Sequence, residues 1–264
     1  MMRFALIAMT AIVCCLPAAA RADWDTDDPA KWVQMPNMDG WDVNVTGAFL
    51  ADDFRCTQTG LVDELHFWGS WRGDLKGTIQ NIRVEFWADD PADDPADDGD
   101  GPDYSEPHSA RWGSDFGPSR VTERYWGEGS QGWYDPIEGE ATSEEDWPDH
   151  LGVYQYNIDM TNLPLYFEQQ EGEIYWLLLK VTIAEGDEFA FGWKTSDTQW
   201  NDDAVYDATP DVWPPDWQEL TDPGIVTAVV SLDLAFVLNS TPVPEPGITA
   251  LVGLGLIALL RRRK

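Results

Sequence analysis

Apolar and polar residues alternate with a period of two along much of the chain, the pattern of β-strands that bury one face. Strands are predicted by this pattern at 82–86, 153–160 and 228–238, and more weakly at 43–50, 61–68, 121–126, 188–194 and 204–206. The segment 173–183 is apolar on both faces apart from Lys180 and Thr182, which predicts a central strand. Clusters of Gly, Pro, Asn and Asp separate the strands. We therefore predict an all-β domain, an antiparallel β-sandwich of jelly-roll-like form with long acidic loops.

Both ends of the chain depart from this pattern. Residues 1–22 place Arg3 before a short apolar run that ends in small residues, including Ala20 and Ala22. This order predicts a helical secretory signal peptide that signal peptidase cuts after Ala22, with cleavage after Ala20 as the alternative. The segment 247–260 is apolar and uncharged, and as a helix it would be about 21 Å long. It is shorter than the roughly 30 Å hydrocarbon core of a bilayer, but it ends in the basic tail 261–264, which predicts a transmembrane helix with a cytoplasmic tail.

A short proline-rich motif precedes this apolar run: Val243, Pro244, Glu245 and Pro246. Motif, helix and basic tail together resemble the bacterial PEP-CTERM sorting signal. The resemblance implies that an exosortase-type protease recognises the motif, that the helix anchors the protein transiently in the inner membrane, and that the protein reaches the cell surface or extracellular matrix. Three parts are thus predicted: a signal peptide (1–22), an acidic β domain (23–240) and a sorting signal (241–264).

The charge of the chain narrows the classes of partner. It has 48 acidic and 16 basic residues, a formal net charge of -32. Six of the 16 basic residues but one of the 48 acidic residues lie in the two terminal segments, so the β domain itself is more acidic still. Phosphate binding needs clustered Lys and Arg, so we exclude nucleic acid as a partner.

Cys56 is the one cysteine beyond the signal peptide, so no internal disulfide can form, and we predict that its thiol is buried.

Two acidic segments are candidate calcium sites, because calcium prefers several oxygen ligands. In the Asp-rich stretch 88–103 the candidate ligands are Asp94, Asp97, Asp98, Asp100 and Asp103. A second candidate is the pair Asp202 and Asp203, which follows Asn201. The first segment lacks the spacing of an EF-hand loop. A solvated acidic loop, or an acidic turn before a strand, remains the alternative for each segment.

The 15 tryptophans of the chain suggest either a core rich in large rings or a surface that binds sugars. We assign most of them to the core. Trp213 and Trp217 flank a Pro-Pro pair, and we predict that they are exposed and are the candidates for binding carbohydrate.

Five segments of the chain, three of which contain tryptophan, carry a second resemblance. They are the segments 53–56, 66–71, 131–136, 191–196 and 201–204. Together they resemble an uncharacterised, Trp-rich, all-β domain of secreted proteins from bacteria that use this sorting system, over most of 49–238. That family has no established activity, so the resemblance implies only the fold class and an exported location.

Three functions remain open on the sequence. We predict a non-enzymatic exported protein with a structural or adhesive role and no catalytic residues. The alternative is a carbohydrate-binding module, with calcium as a candidate cofactor and surface polysaccharide as a candidate partner. A glycan-active hydrolase comes third, because paired carboxylates can cut glycosides, but among 48 acids some pair always looks suitable.

Overall fold

A computed structural model of the chain describes residues 23–92, 104–184, 186, 189–210, 212–225 and 227–242. The predicted signal peptide, the motif and helix of the sorting signal, and the candidate ligands from Asp94 to Asp103 lie outside these residues. Within the described part, no helix is long and apolar enough to cross a membrane.

The described residues form two β-sheets, and their one helical segment is a short 3-10 turn at Arg72–Asp74. The strands are β1 (Trp32–Gln34), β2 (Trp41–Asn44), β3 (Leu50–Arg55), β4 (Gly60–Trp71), β5 (Ile79–Asp90), β6 (Glu106–Phe116), β7 (Val121–Asp135), β8 (Glu140–Ala141), β9 (His150–Asp159), β10 (Glu168–Gln169), β11 (Ile174–Ile183), β12 (Phe191–Lys194), β13 (Val205–Asp207), β14 (Trp217–Glu219) and β15 (Phe236–Pro242). The predicted all-β class is confirmed.

The core lies between the two sheets and consists largely of aromatic rings. Phe54 of the smaller sheet, for example, meets Phe236 of the larger sheet edge to face, with ring centroids 6.0 Å apart. Trp71 and Trp193 are buried in the same core, in agreement with the prediction that most tryptophans fill the interior. Cys56 is also buried there as a free thiol, as predicted.

The smaller sheet has the strand order β14-β13-β3-β11-β5-β6. Strand β11 lies between β3 and β5 and pairs with both, which confirms the predicted central strand. Strand β6 was not predicted. It is an edge strand that pairs with β5, and eight of its eleven residues are exposed or half-buried, so its sequence shows little of the apolar alternation that marks strands with one buried face.

The larger sheet is not purely antiparallel, because β2 pairs with β7 in parallel. Strand β4 pairs with β9, β9 with β7, β7 with β2, β2 with β12, and β12 again with β4. These five pairings close a ring of five strands, which the prediction of an antiparallel sandwich did not include. Strands β15 and β1 continue the sheet beyond β4.

The C-terminal part of the domain differs from the prediction in two ways. The expected strand at 228–238 is regular only from Phe236, and before it Ser231 and Leu234 make single bridges to separate segments. At its other end β15 continues to Pro242, which pairs with Gly60. The sheet therefore extends two residues past the predicted end of the domain at 240.

Candidate functional site

The outer face of the smaller sheet carries a second apolar cluster. Alternate residues of a strand point to opposite faces. In β3, Leu50 and Phe54 point into the core, whereas Ala51 points outward. Ala51 packs there in a cluster that also contains Trp87, Trp176, Leu178, Val205 and Trp217. We call this cluster, together with Trp213 that lies on it, the outer aromatic patch.

The two candidate sugar-binding tryptophans have different positions in this patch. Trp213 is 76% exposed, and its ring centroid lies 5.9 Å from that of Trp87. Trp217 is only 4% exposed, so the predicted exposure of Trp217 is wrong. It belongs to β14, which pairs with β13, and its ring meets Trp87 edge to face at 6.1 Å. Trp213 alone of this pair offers a ring face to a ligand in solution.

Three carboxylates converge at the rim of the outer aromatic patch. Oxygens of Asp202, Asp203 and Glu219 lie within 4.8 Å of one another. The structure thus brings the two predicted aspartates together with a third acid that the sequence did not single out. Glu219 is distant in the chain, and the pairing of β13 with β14 sets it opposite Val205, close to the turn that carries the two aspartates.

The backbone around the three carboxylates is held by hydrogen bonds. Ser105 donates its backbone N–H and its hydroxyl to Asp202 Oδ2, at 2.7 and 3.1 Å. The backbone N–H of Asp203 donates to Asp202 Oδ1 at 3.1 Å. Burial raises the pKa of Asp203 above its ordinary value, and the neighbouring Asp202 adds to the effect. The arrangement concentrates negative charge at one place on the surface.

A fourth acid, Asp53, is fully buried next to these groups. Its Oδ2 accepts a hydrogen bond from Asn201 Nδ2 at 2.5 Å, and its Oδ1 has no hydrogen-bond partner. Burial raises the pKa of Asp53 to about 9, and repulsion from Asp233, Asp89 and Asp202 contributes.

The inside of the strand ring holds a buried ionic network. Asp42 Oδ2 accepts from Lys194 Nζ at 2.9 Å and contacts His150 Nε2 at 2.9 Å, and the side chains of all three residues are 0% exposed. His150 Nδ1 contacts Asp149 Oδ2 at 2.8 Å. The side chains come from β2, β12 and β9 and from the residue before β9.

The charges within this network compensate each other. Burial opposes the charged form of His150, but hydrogen bonds to Asp149 and Asp42 outweigh it and raise its pKa to about 9. Burial would also raise the pKa of Asp42, yet Lys194 and His150 hold it below its ordinary value. Two cations therefore face two anions, and the network has the character of a structural tie between strands. In the sequence, a lysine directly after the segment 191–193 marks one member of this network, but its partners lie far away in the chain.

Comparisons with known proteins agree with both resemblances found in the sequence. The family model of a domain of unknown function (DUF7901) matches residues 30–239, and the chain belongs to this family. The PEP-CTERM protein-sorting motif matches residues 242–264, so the chain is an exported protein that exosortase processes and sorts to the cell envelope. No curated protein and no solved structure matches the chain.

Proposed function

We propose that the protein is a non-enzymatic component of the cell surface or extracellular matrix with a structural or adhesive role. The sorting motif supports delivery to the envelope. The observation that carries the adhesive role is Trp213, a large ring that is 76% exposed on a rigid aromatic support. Exposed tryptophans of this kind are enriched among the residues that dominate binding interfaces.

A fractionation experiment tests this role. The full chain is produced in a bacterium that has exosortase, and the share of exported protein in the surface and matrix fraction is compared with the share in the medium. Trp213→Ala should shift the protein toward the medium, whereas Tyr125→Ala should not. Tyr125 is a suitable control because it is also aromatic and 54% exposed, but lies on β7 of the other sheet. Equal retention of both variants would contradict an adhesive role for Trp213.

Surface polysaccharide is the second candidate, as the ligand of a carbohydrate-binding module. An exposed indole face can stack on a sugar ring, and the acids at the rim of the outer aromatic patch can accept hydrogen bonds from its hydroxyl groups. Affinity electrophoresis of the full chain against a polysaccharide panel tests this candidate, with Trp213→Ala expected to abolish the retardation. Release of sugar fragments from the same panel, lost in Asp203→Asn, would instead favour a hydrolase and contradict the non-enzymatic proposal.

A further inference from the structure

We propose that Asp202, Asp203 and Glu219 bind a divalent cation, calcium in particular, and that the buried carboxylate of Asp53 is a fourth acidic group of this site. Nothing in the proposed adhesive role requires the cation, so the inference stands on its own observations.

The first observation is convergence. Three carboxylates place oxygens within 4.8 Å of one another, on segments that are separate in the chain. Calcium takes about six to eight oxygen ligands in flexible geometry, and waters commonly complete the shell. Three carboxylates are therefore enough for a partly hydrated calcium site, and they suit calcium better than a metal that prefers nitrogen or sulfur.

The second observation is the unpartnered oxygen of Asp53, which is independent of the convergence. Ala51 pairs with Val205, and Val205 pairs with Glu219, so these residues lie side by side on the outer face. Asp53 lies two residues after Ala51 and Asp203 two residues before Val205, so in this antiparallel pairing their side chains point to the same outer face. The free Oδ1 of the fully buried Asp53 thus belongs to the same acidic environment.

Charge balance gives the physical reason for a cation. Within the described residues, no ion pair with Lys, Arg or His involves Asp53, Asp89, Asp202 or Asp203. A buried carboxylate must be neutralised by a proton or by a positive charge. A divalent cation next to Asp53 supplies this positive charge and compensates the neighbouring carboxylates as well.

The site would join three separate segments of the smaller sheet. Asp202 and Asp203 lie in the turn before β13, Glu219 ends β14, and Ser105, which donates two hydrogen bonds to Asp202, lies just before β6. Binding of the cation should therefore stabilise the fold and fix the outer aromatic patch. Sites of extracellular modules bind calcium with dissociation constants of about 10⁻⁴ to 10⁻³ M, which matches an exported protein.

Thermal unfolding of the full chain at pH 7.5 tests the proposal. The protein is first treated with EDTA and then measured with 10 mM calcium chloride, or with sodium chloride at the same ionic strength. We expect calcium to raise the Tm by roughly 3 to 10 °C beyond the effect of sodium. Asp203→Asn should lose at least half of this rise. Glu145→Gln should keep all of it, because it removes the same charge from an exposed loop elsewhere.

Asp53→Asn gives the sharpest signature, because two effects of opposite sign are expected. In EDTA this variant should have a higher Tm than the wild type, since it removes a buried acid that neighbouring carboxylates repel. With calcium its rise in Tm should be smaller than that of the wild type. Binding is measured directly by tryptophan-sensitised terbium luminescence, which calcium should displace from the wild type and which Asp203→Asn should weaken.

Two results would overturn the proposal. One is a wild-type Tm that calcium raises no more than sodium does. The other is a full calcium effect in Asp203→Asn, which would place the bound ion elsewhere in this acidic chain. If Asp203→Asn does not fold, Asp53→Asn decides the question, and an unchanged calcium effect in that variant refutes the site.

Discussion

Replacement of Lys194 by Met removes one of the two cations that neutralise Asp42 inside the strand ring. Lys194 Nζ lies 2.9 Å from Asp42 Oδ2 and 3.0 Å from the carbonyl oxygen of Gly40, and both side chains are 0% exposed. Methionine fills a similar volume but donates no hydrogen bond. The carboxylate of Asp42 then stays buried with His150 as its remaining cation, and the Gly40 carbonyl loses this donor.

The expected loss in the free energy of unfolding follows from the burial of the ion pair between Lys194 and Asp42. Removal of one partner of a buried ion pair reduces the free energy of unfolding by about 3 to 5 kcal/mol. Because His150 still compensates Asp42, we expect the lower end, about 3 kcal/mol, which corresponds to a fall in Tm of roughly 6 to 12 °C for a domain of this size. Urea unfolding followed by tryptophan fluorescence measures the change in free energy, and thermal unfolding measures the change in Tm.

The matched control is Lys76→Met, which breaks an ion pair with Glu123 whose side chains are 44% and 31% exposed. An exposed pair should contribute about 1 kcal/mol or less. The double variant Asp42→Asn/Lys194→Met should be less destabilised than the sum of the two single variants, because the partners interact directly. A loss in Lys194→Met no greater than in Lys76→Met would refute the reasoning that the network is a buried, compensated tie.

Two more predictions concern stability. In EDTA the urea midpoint should fall as the pH rises from about 6.5 to 9, because native His150 has a pKa of about 9 and its protonated form stabilises the fold. Asp53 and Asp233 act in the same direction, because burial raises their pKa values to about 9 and about 7. A urea midpoint that rises with pH would contradict these assignments. Gly192→Ala should reduce the free energy of unfolding by about 1 to 3 kcal/mol in urea, since its Cβ would lie 2.7 Å from Asp42 Cβ. Gly117→Ala, whose Cβ has no neighbour closer than 3.9 Å, should change the free energy little, and equal effects of both variants would be inconsistent with a close contact at Gly192.

The sequence predicted those elements whose burial is regular. Strand β11 is apolar on both faces because it lies at the centre of the smaller sheet, between two neighbours. Edge strand β6 was not predicted, since only three of its eleven residues are buried and its sequence shows little apolar alternation. The segment 228–235 alternates well, yet its backbone makes only isolated bridges, and hydrophobic alternation does not specify which partner a backbone finds.

The residues of the candidate sites likewise include some that the local sequence predicts and some that it misses. Asp202 and Asp203 could be selected because they are adjacent in the chain, whereas Glu219 joins them only through the pairing of β13 with β14. Trp217 resembled Trp213 in its sequence context, but its place on β14 buries its ring against Trp87. The network of Asp42, His150 and Lys194 depends on closure of the strand ring, a long-range feature that no local pattern encodes.

The central claim is that the exported domain attaches to the cell surface or matrix through Trp213. Its most direct test is the affinity of the purified full chain for matrix isolated from the producing bacterium. Because a central tryptophan commonly contributes about 2 kcal/mol or more to binding, Trp213→Ala should weaken the affinity about 30-fold, whereas Tyr125→Ala should leave it unchanged. Equal binding by the wild type and Trp213→Ala, or no binding of the wild type to matrix, would contradict the claim.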